Sequence, residues 1–267
     1  MFKTKIDLTK KNALVTGGSQ GIGSEICREL ASCGANVYIN YYQNKENAKA
    51  LAKELVDNFL VKVAFGGANV ANAVEVKEMF MKMEKEIGKV DILVNNAGCE
   101  TINHVLEIKN EDWDNVVNVN LKGPFLCSRE AALQMDSKGG VIINISSIHD
   151  TVPRKGLAHY CSSKAGLKML SKCLSIELAD KNIRVVSIAP GVIETTMNHK
   201  ELEMIGKSSF NQWIPQGRIG NVSDVANTVS FVASDLASYI NGTDIYIDGS
   251  YMNSTIQYDP RLKRIRK

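Results

Sequence analysis

No apolar run in the 267 residues approaches the roughly 18 needed to cross a bilayer. The N-terminal stretch MFKTKIDLTKKNALVTGG also lacks the apolar core, about 7–15 residues, of a secretory signal. These absences predict a cytoplasmic protein with no membrane partner. Cysteine is present but unpatterned: Cys27, Cys33, Cys99, Cys127, Cys161 and Cys173 include no C-x-x-C pair. Neither a disulfide framework nor a metal site is expected from that spacing, and the cysteines read as small core residues or free thiols. An excess of one charge is missing too. Thirty-two basic residues face 29 acidic ones, a net charge of +3 that does not suggest a nucleic-acid surface. No Pro/Gly/Ser-rich linker, short repeat or low-complexity block divides the chain, so residues 1–267 read as one domain. With 44% hydrophobic and 23% charged residues, it has the composition to bury a large core.

What is there is an alternation. Short β-rich runs occur at 12–16, 36–41, 61–65, 90–95, 141–146, 183–188 and 243–247. Several are nearly continuous apolar runs, as expected of strands buried on both faces. Amphipathic helical patterns lie between them at 21–33, 44–57, 72–87, 111–134, 160–180 and 222–234. Strand and helix alternating in this way predict an α/β, doubly wound sheet of about seven mostly parallel strands with helices on both faces. The least periodic internal stretch, 192–216, follows Pro190-Gly191 and is expected to be a lid or binding loop over the substrate.

The segment TGGSQGIG, 16–23, joins the first strand to the first helix. Gly17 can turn sharply, while Gly21 and Gly23 let backbone approach a phosphate and helix pack on strand. The helix start then offers free N–H groups to a pyrophosphate. The spacing T-G-x-x-x-G-x-G, together with Asn95-Asn96-Ala97-Gly98 at the end of the fourth strand, resembles the short-chain dehydrogenase/reductase family over roughly residues 8–250. The resemblance implies a Rossmann-type fold that binds NAD(P). It places Gly17, Ser19, Gln20, Gly21, Ile22 and Gly23 against the cofactor, with Tyr41, Tyr42, Asn69 and Val70 at its adenosine end. Asn96, Ala97 and Gly98 shape the central crevice. Pro190, Gly191, Ile193 and Thr195 match the family's P-G-x-x-x-T segment, whose threonine contacts the nicotinamide carboxamide. An acid at the end of the second strand would bind the ribose hydroxyls of NAD and repel a 2′-phosphate. Tyr41 stands there instead, Lys45 is near, and the glycine loop has Gln20 where many NADP users have arginine. NADP(H) is therefore favoured, with NAD(H) admissible.

HYCSSKAG, 159–166, sets Tyr160 and Lys164 one helical turn apart. Ser147 ends the fifth strand, and Asn120 lies within a helix. In the resembled family Asn120, Ser147, Tyr160 and Lys164 form the catalytic tetrad, and Tyr160 and Lys164 also meet the cofactor. Hydride transfer to a carbonyl leaves charge on oxygen, which Tyr160 neutralises as general acid or creates as general base in the reverse direction. A tyrosine pKa near 10 should fall beside the Lys164 ammonium. Pro124 cannot donate an N–H to the carbonyl of Asn120. The expectation is a kink at Gly123-Pro124 that frees that carbonyl for a water relay to Lys164. Ser162 and Ser163 receive no role, and Cys161 reads as packing.

The reaction expected is interconversion of a secondary alcohol and a carbonyl on a small molecule, by a homotetramer or homodimer as the resemblance implies. Phrases such as INYYQNKENA, NNAGCE and SSIHD resemble bacterial glucose 1-dehydrogenases within the family and point to a sugar, with Glu100 and His149 at pocket positions. Arg154 replaces the aromatic-proline pair of that group. The apolar lid residues Met197, Met204, Ile205, Phe210, Trp213 and Ile214 suit a steroid or bile acid, Trp213 being the one to test, or else ordinary packing. A 3-oxoacyl-carrier reductase is a third substrate reading, and a non-catalytic NAD(P)-sensing module is the rival from another class. Residues 251–267 form an extension ending in the basic tail RLKRIRK, read as solvated or as an attractor of anions.

Overall fold

Strands alternating with helices can close only into a layered α/β structure, and the topology shows which layer each element joins. The computed structural model describes residues 6–135, 138–195 and 199–254, with the side chains of 199–201 excepted. The elements are β1 (Asn12–Val15), α1 (Gly21–Ser32), β2 (Asn36–Tyr41), α2 (Lys45–Asn58), β3 (Val63–Gly67), α3 (Ala73–Glu86) and β4 (Ile92–Asn95). There follow α4 (Asn110–Val117), a π turn (Asn118–Lys122), α5 (Gly123–Met135), β5 (Gly140–Ile145), α6 (Ala158–Glu177) and β6 (Ile183–Pro190). The chain continues through α7 (His199–Ile205), α8 (Lys207–Trp213), α9 (Val222–Ala233) and β7 (Asp244–Ile247). The basic tail and Met197 lie outside the described residues.

The seven strands run in the order β3-β2-β1-β4-β5-β6-β7, with every pairing parallel. The order reverses between β1 and β4, which opens a crevice at their carboxyl ends, where open α/β sheets hold ligands. One face of the sheet packs with α1, α2 and α9 through Ile26, Leu30, Leu51, Leu55, Val225 and Val229. The other packs with α3 and α5 through Val76, Phe80, Met83, Leu126 and Met135. Each fully buried aliphatic side chain of this kind contributes roughly 1.5–3 kcal/mol.

Three polar strand residues interrupt the apolar runs near the functional edge, and each donates a side-chain hydrogen bond. Asn95 Nδ2 donates to Asn144 Oδ1 at 2.8 Å and Asn144 Nδ2 to Ser171 Oγ at 2.8 Å, while Ser187 Oγ donates to the same Ser171 Oγ at 3.0 Å. This ladder ties β4, β5 and β6 to α6, so the helix carrying Tyr160 is fixed to the middle of the sheet.

Candidate active site

The glycine loop is shaped from both sides. Gly17 and Gly21 have φ of +60° and +54°, in the left-handed region. A Cβ on Gly23 would run into the Gly17 carbonyl and lie 2.5 Å from Asn96 Nδ2. A Cβ on Gly21 would meet nothing within 4 Å, so that face of the loop is open. Gln20 caps α1 without a side-chain bond, leaving the first N–H groups of the helix for a ligand. The residues present therefore fit a dinucleotide pyrophosphate.

The NNAG segment acts mainly as scaffold. Asn96 Nδ2 donates to the carbonyls of Thr16 and Gly17 at 2.9 and 3.1 Å, and Thr16 Oγ1 accepts the N–H groups of Asn96 and Ala97 at 3.0 Å each. Asn40 completes the cradle by accepting the Gly17 N–H at 3.2 Å. Thr16 and Asn40 were not singled out by sequence because their partners lie tens of residues away. At the adenosine end Tyr41 is half-buried and Tyr42 exposed, Val70 is buried, and Asn44 Nδ2 reaches Gln20 Oε1 at 2.6 Å. Asn69 Oδ1 accepts the Ala71 N–H at 3.0 Å in a local turn. Ser19 is buried beside the loop and Ile22 half-buried.

On the other side of the crevice, Pro190 ends β6 and the Gly191 N–H donates to the Ile247 carbonyl at 2.9 Å. Ile193 is buried and bridges to Gly220, and Thr195 is half-buried.

The four tetrad positions converge on one place. Asn120 is fully buried; its Oδ1 accepts the Cys99 N–H at 2.9 Å, while Nδ2 donates to the Cys99 carbonyl at 2.9 Å and to Ser163 Oγ at 3.2 Å. Ser163 Oγ donates in turn to the Tyr160 carbonyl at 2.7 Å. Ser163 thus has a role that sequence reading misses: it joins Asn120 to the tyrosine's own backbone. Lys164 is buried, donates to the Ile145 carbonyl at 2.8 Å, and places Nζ 5.6 Å from the Tyr160 ring centroid. The helix around Asn120 is a π turn, with the Gly123 N–H bonded to the Asn118 carbonyl, one residue beyond the ordinary helical partner. Pro124 still has no N–H to give to Asn120.

The electrostatics run against the expected fall of the tyrosine pKa. Burial, followed by the Glu100 charge, pushes the Tyr160 phenol above its ordinary value, against a side-chain hydrogen bond with Ser147 that lowers it. Lys164 does not bring it down. Burial lowers the lysine itself to about 8, against the opposing pull of Cys99, Asp150 and Glu100. Desolvation outweighs attraction here because both charged forms are being withdrawn from water.

Glu100 and His149 both reach this place: Glu100 acts on Tyr160, and the His149 ring stands edge-on to it at 6.4 Å, with Nδ1 2.9 Å from the Val152 carbonyl. Arg154 is half-buried in the loop before α6. Within the lid stretch, Phe210 and Ile214 are buried with Leu202 in a small core of their own, so they pack; Met204, Ile205 and Trp213 are exposed. Trp213 packs edge-on to Phe210 at 5.3 Å.

Among the described residues no group of three or more His, Cys, Asp or Glu is placed to hold a metal ion, and no helix is long and apolar enough to cross a membrane. The six cysteines are all free.

Known proteins resemble this chain over nearly its whole length. The family model for short chain dehydrogenase matches residues 11–206. The chain is 42% identical over 244 residues to the 3-oxoacyl-[acyl-carrier-protein] reductase FabG of Staphylococcus aureus, covering 90% of this chain and 97% of the relative. Among solved structures it is similar to a gluconate 5-dehydrogenase from Burkholderia cenocepacia in complex with NADP and tartrate, with TM-score 0.87, 31% identity, and 93% and 97% of the two chains covered. A blue fluorescent protein from a metagenomic library in complex with NADPH superposes with TM-score 0.86 at 31% identity, covering 92% of this chain and 99% of the other. No specific likeness to glucose 1-dehydrogenases emerges from these relatives. The chain belongs to the short-chain dehydrogenase/reductase family, an oxidoreductase acting on CH–OH groups with NAD(P).

Proposed function

We propose that this chain interconverts a secondary alcohol and a ketone on a small polyhydroxylated substrate of the sugar or sugar-acid class, using NADP(H). The observation that carries this reading is the pairing of Glu100 and His149 with the Tyr160–Ser147 hydrogen bond. A carboxylate and an imidazole beside the proton donor supply acceptor and donor for neighbouring hydroxyls. The similar gluconate 5-dehydrogenase supports the same class.

When bound, the nicotinamide supplies or accepts the hydride. Gly17 to Gly23 would hold its phosphates, Tyr41, Tyr42, Asn69 and Val70 its adenosine, and Lys164 and Thr195 its nicotinamide end. Ser147 donates a hydrogen bond to the substrate oxygen and orients it. Tyr160 gives its proton to that oxygen in reduction and takes it back in oxidation. The raised phenol is protonated at neutral pH, the form that donates. Lys164, charged below pH about 8, stands with Nζ 5.6 Å from the centroid of the Tyr160 ring, between the tyrosine and the nicotinamide end it would hold.

The lack of an acid at Tyr41 supports NADP(H), as do the NADP and NADPH held by the two similar structures. Exposed Trp113 on α4, Phe125 and Leu133 on α5, and Met169 and Ile176 on α6 give neighbouring helices apolar outer surfaces, which a second copy of the chain would cover in a homotetramer or homodimer.

A second reading has its own support: relatives at 40–42% identity are named 3-oxoacyl-[acyl-carrier-protein] reductases. Sugars, sugar acids, steroids, bile acids and 3-oxoacyl thioesters, each tried with both cofactors, separate the readings through the absorbance of reduced nicotinamide. Turnover confined to polyhydroxylated compounds is the expected result. Turnover of the thioesters alone would replace it with the second reading.

A further inference from the structure

A dense polar cluster sits behind the tetrad, on residues to which neither the family pattern nor the proposed reaction gives a part. Its centre is Asp150, three residues after Ser147 on the same short turn (148–150), with a side chain fully withdrawn from solvent. A buried carboxylate is costly unless its oxygens are satisfied. Here Oδ2 accepts from Ser146 Oγ at 2.9 Å, and Oδ1 accepts from Thr151 Oγ1 at 2.8 Å and from Tyr246 Oη at 3.0 Å. The compensating cation is Lys168, whose Nζ lies 3.6 Å from Asp150 Oδ1 and donates to Thr151 Oγ1 and Tyr246 Oη at 2.7 Å each. Lys168 is one helical turn beyond Lys164 on α6. Asp244, on β7 with Tyr246, stands 3.8 Å from Lys168 and 3.3 Å from Lys172.

The cluster therefore reaches from the end of β5 through the Ser147 turn and α6 to the edge strand β7. Ser146 and Thr151 bracket the turn, and the Ser147 hydroxyl also accepts the His149 N–H at 3.2 Å inside it. We propose that Asp150, pinned by Lys168 and Tyr246, is a positioning residue that fixes the turn presenting Ser147 and sets its carboxylate behind Lys164. This rests on the reading of Tyr160 and Ser147 as the proton-transfer pair. The groups facing Lys164 are Glu100 and Cys99 from the loop after β4, Asp150 from the turn, and Tyr160 on its own helix. Asp150 supports the charged form of Lys164 against burial. Lys168, in turn, neutralises part of that charge.

Opposite changes in one pair should thus act oppositely on Lys164. The test uses the full chain labelled with ε-13C lysine, the Lys164 resonance being assigned by its loss in Lys164→Met. Asp150→Asn should move the Lys164 titration midpoint down, and Lys168→Met should move it up, each by roughly half a pH unit. With a substrate from the screen, Asp150→Asn should lower kcat about tenfold or more, because Ser147 is misplaced, while cofactor Kd stays within twofold. Tyr246→Phe, which keeps both charges, should lower kcat less and leave the Lys164 midpoint in place. Should Asp150→Asn fail to fold, Lys168→Met and Tyr246→Phe decide alone. A Lys164 midpoint unmoved in both charge variants, or an unchanged kcat in folded Asp150→Asn, overturns the proposal. If no substrate is found, the reaction reading fails by itself and the resonance shifts still decide on Asp150.

Discussion

The side chain of Asn120 grips the main chain of Cys99 from both sides, accepting its N–H and donating to its carbonyl, each at 2.9 Å. Two residues on different elements are thereby locked as a backbone pair would be, and the loop carrying Glu100 is held against α6. Breaking the clasp leaves a half-buried N–H and a half-buried carbonyl without their partner, and each such group costs about 1 kcal/mol or more. Asn120→Ala should lower the urea-derived stability by roughly 2–4 kcal/mol. Asn120→Asp keeps the acceptor but loses the donor to Cys99 and Ser163, and adds a buried charge. It should be no more stable than the alanine variant, and equal stability to the parent chain would show that the clasp is not what holds the loop.

Tyr160→Phe removes one oxygen from a residue anchored through its backbone by Ser163 and through its ring by Lys164 and His149. Those anchors persist in the variant, so cofactor Kd should stay within about twofold. Turnover should fall by about 10²–10⁴, the range contributed by a positioned general acid. Steady-state rates with equilibrium titration of NADPH check both halves. Retention of more than a tenth of the activity would remove Tyr160 from proton transfer.

The alternation of strand and helix was legible because strands buried on both faces carry no polar residue facing water, and their apolar runs stand out. Boundaries agree within two or three residues for most elements. The stretch 111–134 is different: its helical periodicity runs on without a break, yet the chain forms α4, a π turn and α5 there. A single extra residue per turn barely disturbs a pattern averaged over several turns, so only Pro124 marked the place. The tetrad was legible as residue types at fixed spacings. What supports it was not: Thr16 with Asn96, Asn40 with Gly17, and Asp150 with Tyr246 are contacts across 80, 23 and 96 residues. No local pattern encodes which distant strand end a polar side chain will meet. The shift at Tyr160 was missed for the same reason, since burial of the phenol is a property of the assembled crevice.

Two glycines of the cofactor loop should respond differently to the same change. Gly23→Ala sets a methyl against the Gly17 carbonyl and 2.5 Å from Asn96 Nδ2, in a loop tied down by Thr16 and Asn40. Overpacking of this kind costs about 1–3 kcal/mol or more. Gly21→Ala meets no atom within 4 Å and bears only the strain of its positive φ, about 1–2 kcal/mol. Thermal unfolding of the free protein should therefore place Gly23→Ala below Gly21→Ala. NADPH binding should weaken in both, in Gly21→Ala because its methyl enters the space left open for phosphate. Unaltered NADPH affinity in Gly21→Ala would move the pyrophosphate off that face.

Lys164 makes stability depend on pH with a definite sign. Its amine is lowered to about 8 by burial, from an ordinary value of 10.5 that the unfolded chain retains. Below pH 8 both states carry the proton, and the folded state bears the full cost of a buried charge. Between pH 8 and 10.5 the unfolded chain binds more protons than the folded one, so stability rises with pH across that window. A shift of this size corresponds to about 3 kcal/mol in all. Lys164→Met has no such proton to lose. It should be inactive, and it should forfeit the hydrogen bond to the Ile145 carbonyl at every pH. Chemical unfolding of both proteins at closely spaced pH values gives the comparison as a difference, in which titrating groups away from Lys164 cancel. The parent chain should gain on the variant from pH 8 upward and level off near 10.5. A flat difference across the window would mean that the buried lysine keeps its ordinary affinity for the proton, and that the charge beside Tyr160 is compensated more fully than Cys99, Asp150 and Glu100 provide.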